Sequence, residues 1–178
     1  MLTDGVRAHV LADDGTIPNS QLPLLMYQQV VDLAGEDPPA AIEATLRANG
    51  WGNGWRNGVF PHHHYHSTAH EVLVVYAGSA RVQFGGERGI VATLNPGDVV
   101  IIPAGVGHKN LGASANFRVI GAYPRGQAWD ICYGKPDERP RSDENIARVP
   151  LPMADPVFGR QGPLLAHWRY AVSPMGPT

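Results

Sequence analysis

Five of the chain's eight histidines fall within nine residues: His62, His63, His64, His66 and His70. Glu71 follows directly, and a sixth, His108, sits just beyond the turn Pro103-Ala104-Gly105. Imidazoles beside a carboxylate are donors for a transition-metal cation. On a β-strand, side chains two residues apart share a face, so His64 and His66 project together with Cα atoms ~6.5–7 Å apart. Imidazole nitrogens bind a metal at about 2.0–2.1 Å, so both rings can meet one ion. His63 then faces away. Glu71 comes round on the next strand, which the turn at Ser67–His70 permits. A carboxylate with imidazoles suits Fe, Mn, Ni, Zn or Cu and does not choose among them. The plainer alternative is a run of solvent-facing histidines or an expression tag, but tags sit at termini and this run is internal. His9 and His167 receive no role.

The elements around the cluster read as short strands. Val72–Ala77 is Val-rich and stops at Gly78. Ala80–Phe84 alternates, with Ala80, Val82 and Phe84 on one face and Arg81 and Gln83 on the other, before a Gly85-Gly86 turn. Ile90–Leu94, Val99–Ile102 and Phe117–Tyr123 continue the series, separated by the turns Asn95-Pro96-Gly97-Asp98 and Pro103-Ala104-Gly105. Strands at this spacing without intervening helices predict an antiparallel sandwich or barrel, an all-β fold.

The flanks differ in texture. Residues 1–57 read as an N-terminal extension. Within it Leu22–Val31 is apolar and undecided between strand and helix. Asp37, Pro38 and Pro39, Ile42 and Leu46 at i, i+4, and Asn49-Gly50 predict one helix over about 38–49. Residues 58–125 form the core, with loops expected at 51–57 and 126–150. Residues 126–178 read as a Pro-rich C-terminal tail whose apolar pieces, Val157-Phe158, Leu164-Leu165 and Trp168, pack on the core or on a partner. Ser173–Thr178 read as disordered.

Composition closes several classes. The 178 residues, 43% hydrophobic and 17% charged, suit one globular domain. A net charge of −2 carries no footprint for nucleic acid, so no such partner is expected. No run of ~20 apolar residues can cross a bilayer, and the N-terminus lacks a signal peptide's apolar run. Cys132 stands alone, which rules out an intramolecular disulfide and a CxxC pair. A cytoplasmic, membrane-free protein is the expectation. The apolar segments Leu22–Tyr27 and Leu164–Trp168 suggest a homodimer that buries them across a two-fold interface.

Gly58, five residues, His64-Tyr65-His66, four residues, Glu71, six residues and Gly78 resemble the first sequence motif of the cupins. Gly97, five residues, Pro103-Ala104-Gly105, two residues and His108 resemble the second. Nine fixed positions are filled in order; one departure is Gly112 where that motif ends in Asn, with Asn110 two positions earlier. The flanks, including IPNSQLPLLMY and YHSTAHEVL, resemble bacterial single-cupin proteins of the YjlB type. The resemblance implies a six-to-eight-stranded antiparallel jelly-roll (cupin) β-barrel holding one divalent metal ion on His64, His66, Glu71 and His108. His62 shares strand parity with His64, and His70 adjoins Glu71, so either competes for a ligand or supporting role.

Three neutral imidazoles and one carboxylate fill four of six octahedral positions and leave a divalent ion near +1, open to an organic ligand. The expected function is a metal-dependent enzyme, an oxygenase-like dioxygenase or an isomerase, acting on a small organic molecule. The alternative is a cupin that binds or senses a small ligand without chemistry. Phe60 and His62, with His64's parity, and Leu73 and Val75, with Glu71's, are the expected substrate-pocket residues.

Overall fold

The computed structural model describes residues 5–169, so the expectation for Ser173–Thr178 lies outside the described residues. Nine strands form two antiparallel sheets. They are β1 (Val6–Leu11), β2 (Ser20–Tyr27), β3 (Trp51–Asn57), β4 (Glu71–Ala77), β5 (Ala80–Phe84), β6 (Ile90–Leu94), β7 (Val99–Ile102), β8 (His108–Ala113) and β9 (Arg118–Pro124). The larger sheet runs β1-β2-β7-β4-β9-β3 and the smaller β6-β5-β8. The fold is therefore β-rich and antiparallel, a sandwich consistent with a jelly roll. Among the described residues no strand pairing closes the two sheets into a ring. Side chains rather than ladder bonds fill the space between them, and the cavity described below lies there.

The larger sheet is buried on both faces, which explains why β4 and β7 read as unbroken apolar runs. Leu73 and Val75 of β4, with Val100 and Ile102 of β7, meet Val82 and Phe84 of β5 between the sheets. Their strand neighbours Val72, Val74, Val99 and Ile101 turn outward onto Ile42, Leu46, Leu164 and Trp168. Those partners come from helix α1 (Pro38–Ala48) and from the segment of a later helix, Leu164–His167. Helix α1 starts with Asp37 Oδ1 accepting from Ala40 N at 3.1 Å and buries Ile42 and Leu46. Helices α2 (Arg141–Arg148) and α3 (Leu164–His167) belong to the segment expected to be a tail.

Both flanks thus build the sandwich. Residues 1–57 supply β1, β2 and β3, half of the larger sheet's strands. The stretch 51–57 is a strand rather than the expected loop. Gly52, Asn53 and Gly54 hide its β-character, and it pairs with β9 around a register shift between Gly52 and Trp55. The undecided stretch 22–31 is strand as far as Tyr27, paired with β7. Asp155, fully buried, ties the C-terminal segment to β2. It accepts from the Tyr27 hydroxyl at 2.6 Å and from the Leu164 N–H at 3.1 Å.

Leu22–Tyr27 and Leu164–Trp168 pack inside their own chain, so the surfaces on which the homodimer expectation rested are already covered. No helix among the described residues is long and apolar enough to cross a membrane. Because Leu164 is completely buried, Leu164→Ala is expected to lower the unfolding free energy by about 2–5 kcal/mol in a urea titration. A change below about 0.5 kcal/mol would show that this segment is no part of the core.

Candidate metal centre

Three chain segments meet where the histidines converge. His64 and His108 are paired through their backbones, His108 N donating to His64 O at 2.9 Å and His64 N to His108 O at 3.3 Å. On the other side Tyr65 and Cys132 exchange two bonds of 2.9 Å. The segment 64–66 is thus held between β8 and the chain returning after β9. Gly105 N donates to His66 O at 2.8 Å. Gly105 sits at φ +94°, and a Cβ there would fall 2.2 Å from Asn19 O, so only glycine makes this turn without strain.

The pleat does the rest. Glu71 opens β4 and faces between the sheets with Leu73 and Val75, where it meets the rings of His64, His66 and His108. These three histidines are buried, and their ligating nitrogens lie within 4.8 Å of one another. Glu71 Oε2 is 3.3 Å from His66 Nε2 and 3.2 Å from His108 Nε2.

Each ring's other nitrogen has a backbone partner. His64 Nδ1 lies 3.2 Å from His62 O and His108 Nδ1 3.2 Å from Val106 O, while His66 Nδ1 meets Asp130 O. A carbonyl can only accept, so each Nδ1 carries a proton and, in the neutral ring, each Nε2 presents a lone pair. Asp130 is itself pinned, its carboxylate accepting from Ser67 N at 2.6 Å and from the Ser67 hydroxyl. Burial pushes the Asp130 carboxyl up, but these bonds outweigh it and hold it below its usual range.

Burial acts differently on each group in the cluster. It drives the His64 pKa down to about 3, helped by neighbouring His108, so His64 is neutral. Burial also pulls His66 down, but the Glu71 carboxylate overrides it and the net shift is upward. For Glu71 burial opposes ionisation, and His66 and His108 more than offset that, holding the carboxyl well below its usual range. The result is a buried anion walled by imidazoles. Glu71 Oε1 accepts from the Tyr123 hydroxyl at 3.2 Å, and that hydroxyl accepts from Trp55 Nε1 at 2.7 Å. Oε2 makes no well-directed hydrogen bond. An orphaned, buried carboxylate oxygen beside three inward nitrogens fits a divalent cation: three histidines could hold one, with Oε2 as a fourth donor at hand.

The centre forms the wall of a cavity of about 290 Å³. Of the expected pocket residues, Phe60 and Leu73 line it. Val75 does not, because one pleat further along β4 it is packed in the core with no exposure. His62 does not either; it is exposed at the mouth, its ring stacked on Phe60 at 5.2 Å. His70 is turned away from the cluster of His64, His66 and His108. Odd and even residues of β4 face opposite ways, and His70 packs on Trp168 at 4.7 Å with Nδ1 accepting from Ala104 N at 2.9 Å.

Sequence inspection passed over Trp55, Tyr123, Trp129, Ile131 and Asp130. Trp55 and Tyr123 are brought together only by the pairing of β3 with β9. Gly121 faces Trp55 across the β3–β9 ladder, and a Cβ there would lie 2.2 Å from the indole. None of these residues carried a signal in the sequence.

The cupin domain family matches residues 56–119. The uncharacterized protein YjlB of Bacillus subtilis (strain 168) is 44% identical over 163 residues, 91% of this chain and 96% of its own. Among solved structures, the ribosomal oxygenase YcfD of Escherichia coli aligns over 58% of this chain at 21% identity and a TM-score of 0.41. This chain spans about a third of that protein, 32% of its length. A DUF861 family protein from Thermotoga maritima covers 49% of this chain and 92% of its own, at 22% identity and a TM-score of 0.31.

The clamp on 64–66 has a chemical signature in Cys132. Burial, with Asp130 nearby, pushes its thiol up to about 11. At pH 8 the thiolate fraction is then about one in a thousand, since the thiolate is the reactive form. Folded protein is expected to react with a disulfide reagent such as DTNB far more slowly than urea-unfolded protein at that pH. Equal rates would mean that the 130–132 return is not closed over the ligand strand.

Proposed function

Because the chain belongs to the cupin family and is a relative of YjlB, we propose that His64, His66, Glu71 and His108 hold one divalent metal ion, and that the protein is a metal-dependent, oxygenase-like enzyme acting on a small organic molecule in the adjoining cavity. The observation that carries this is Glu71 Oε2: buried, without a directed hydrogen bond, and 3.2–3.3 Å from two imidazole nitrogens. When bound, such an ion supplies Lewis acidity and, for iron, manganese or copper, a redox couple, with coordination positions left for an organic ligand.

The chain's own groups do the positioning. Backbone carbonyls of His62, Asp130 and Val106 set the three imidazoles in the tautomer that turns Nε2 inward. Tyr123 occupies Oε1 and so leaves Oε2 for the metal. Leu73, Phe60, Tyr123, Trp129 and Ile131 exclude water beside the centre.

Protein loaded in turn with Fe²⁺, Mn²⁺, Ni²⁺ and Zn²⁺ is to be assayed against small diols, keto acids and catechols. About one metal per chain is expected by elemental analysis, and turnover with at least one of them. His66→Ala is expected to lose both metal and turnover; activity that survives it refutes the mechanism. A ligand that binds and exchanges but is never transformed favours the non-catalytic binding cupin instead. Tyr123→Phe keeps the ring and removes the hydroxyl on Oε1. It is expected to weaken metal affinity about 10–100-fold, measured by competition with a chelator, and unchanged affinity would show that Tyr123 does not orient Glu71.

A further inference from the structure

Resting on the metal centre proposed above, we propose that the cavity takes a flat aromatic ligand carrying a single metal-chelating oxygen pair, such as a catechol or a hydroxyaryl ketone, and excludes aliphatic dianions. Three observations converge on this substrate class.

The first is that no lysine or arginine among the described residues stands in the cavity wall. Arg56, next to Trp55 in β3, is turned away into a bidentate pair with Glu43 at 2.7 and 2.9 Å. Lys135 lies over the Tyr133 ring, 5.7 Å from its centroid, outside the lining. A divalent ion with one carboxylate carries about +1, which one anionic chelate neutralises. A second carboxylate or a phosphate would be buried without a counter-charge, and burying an unpaired anion is costly.

The second is that the polar side chains nearest the metal donors, Tyr123 and Trp55, are already bonded to one another and to Glu71. The Tyr123 hydroxyl donates to Glu71 and accepts from Trp55. The Asn57 Oδ1 accepts from Gly58 N at 2.8 Å, so Asn57 and the Trp129 indole N–H are the side-chain groups left to meet a ligand's polar atoms. The remainder of the ligand must therefore be largely apolar.

The third is aromatic. Trp129 is stacked on Tyr123 with centroids 6.1 Å apart and planes at 22°, and its centroid lies 5.7 Å from that of His66 in an edge-to-face arrangement. Trp129 and Phe60 are 46% and 51% exposed. Both line the cavity, whereas the third large exposed aromatic among the described residues, Tyr133, lies outside the lining, against His62 at 5.5 Å. Exposed aromatics gathered at the rim of a cavity mark a surface that binds flat apolar groups.

The test uses full-length protein and 4-nitrocatechol, whose visible absorbance shifts on metal chelation, with 2-oxoglutarate as the aliphatic dianion. Metal content of every sample is measured in parallel. Metal-loaded wild type is expected to bind 4-nitrocatechol at least about tenfold more tightly than 2-oxoglutarate. Trp129→Ala and Phe60→Leu are each expected to weaken 4-nitrocatechol about tenfold, the scale of one lost aromatic contact with its burial, while metal content stays at wild-type level. Trp129→Phe restores most of the affinity. The proposal is overturned if 2-oxoglutarate binds as tightly, or if both rim variants keep full metal and unchanged 4-nitrocatechol affinity. Wild-type protein that takes up no metal overturns the metal centre itself, and this proposal with it.

Discussion

A carboxylate with almost no solvent exposure, set between two apolar sheets, is the constraint around which this molecule is arranged. Ionised Glu71 in such a place is costly unless opposite charge and donors surround it. The surroundings are unusually directed. Tyr123 satisfies one oxygen, and imidazole nitrogens crowd the other without bonding it well. Each imidazole is turned to that spot by a backbone carbonyl, not by a mobile side chain. A rigid scaffold therefore holds the donors, which is how a metal site reaches its geometry without reorganising when the ion arrives.

That rigidity has identifiable sources. The His64–His108 and Tyr65–Cys132 bridges give the ligand segment a partner on each side, although it belongs to neither sheet's main ladder. The turn at Gly105 adds a third tie through His66 O. Behind β4, the outward face of the larger sheet is sealed by Ile42, Leu46, Leu164 and Trp168. The sheet thus works as a partition. One side is devoted to packing; the other combines core with cavity. His70 and Glu71 show the division sharply: adjacent in sequence, one is packed on Trp168 and the other faces the imidazoles.

The cavity inherits its character from the same partition. Its wall is the continuation of the inter-sheet core toward solvent, so it is apolar and aromatic apart from the three histidines, Glu71 and Asn57. Charged residues of the neighbouring strands point to the outside, as Arg56 does toward Glu43. Chemical selectivity in such a place comes from one charged centre and from shape, since no second charge is present to read a ligand's far end.

Much of this was legible in residue order alone. The parity of His64 and His66, the break before Glu71, the alternation of Ala80–Phe84 and the cap at Asp37 are local features, carried by strand and helix periods that need no knowledge of the rest of the chain. Spacing within two short stretches likewise marked His108 and the Pro103-Ala104-Gly105 turn. Other features depended on which strand lies beside which. β3 looked like a loop because glycine and asparagine dilute its pattern; pairing with β9 makes it a strand and brings Trp55 onto Tyr123. Trp129 and Asp130 gained their places only when the chain after β9 doubled back to Tyr65. The segments 22–27 and 164–168 looked equally fit for a partner's surface, and folding covered them with their own chain. Periodicity is a property of neighbours in sequence, so residue types and spacing could nominate the donors. The groups that orient those donors come from distant segments, and only non-local pairing brings them within hydrogen-bond range.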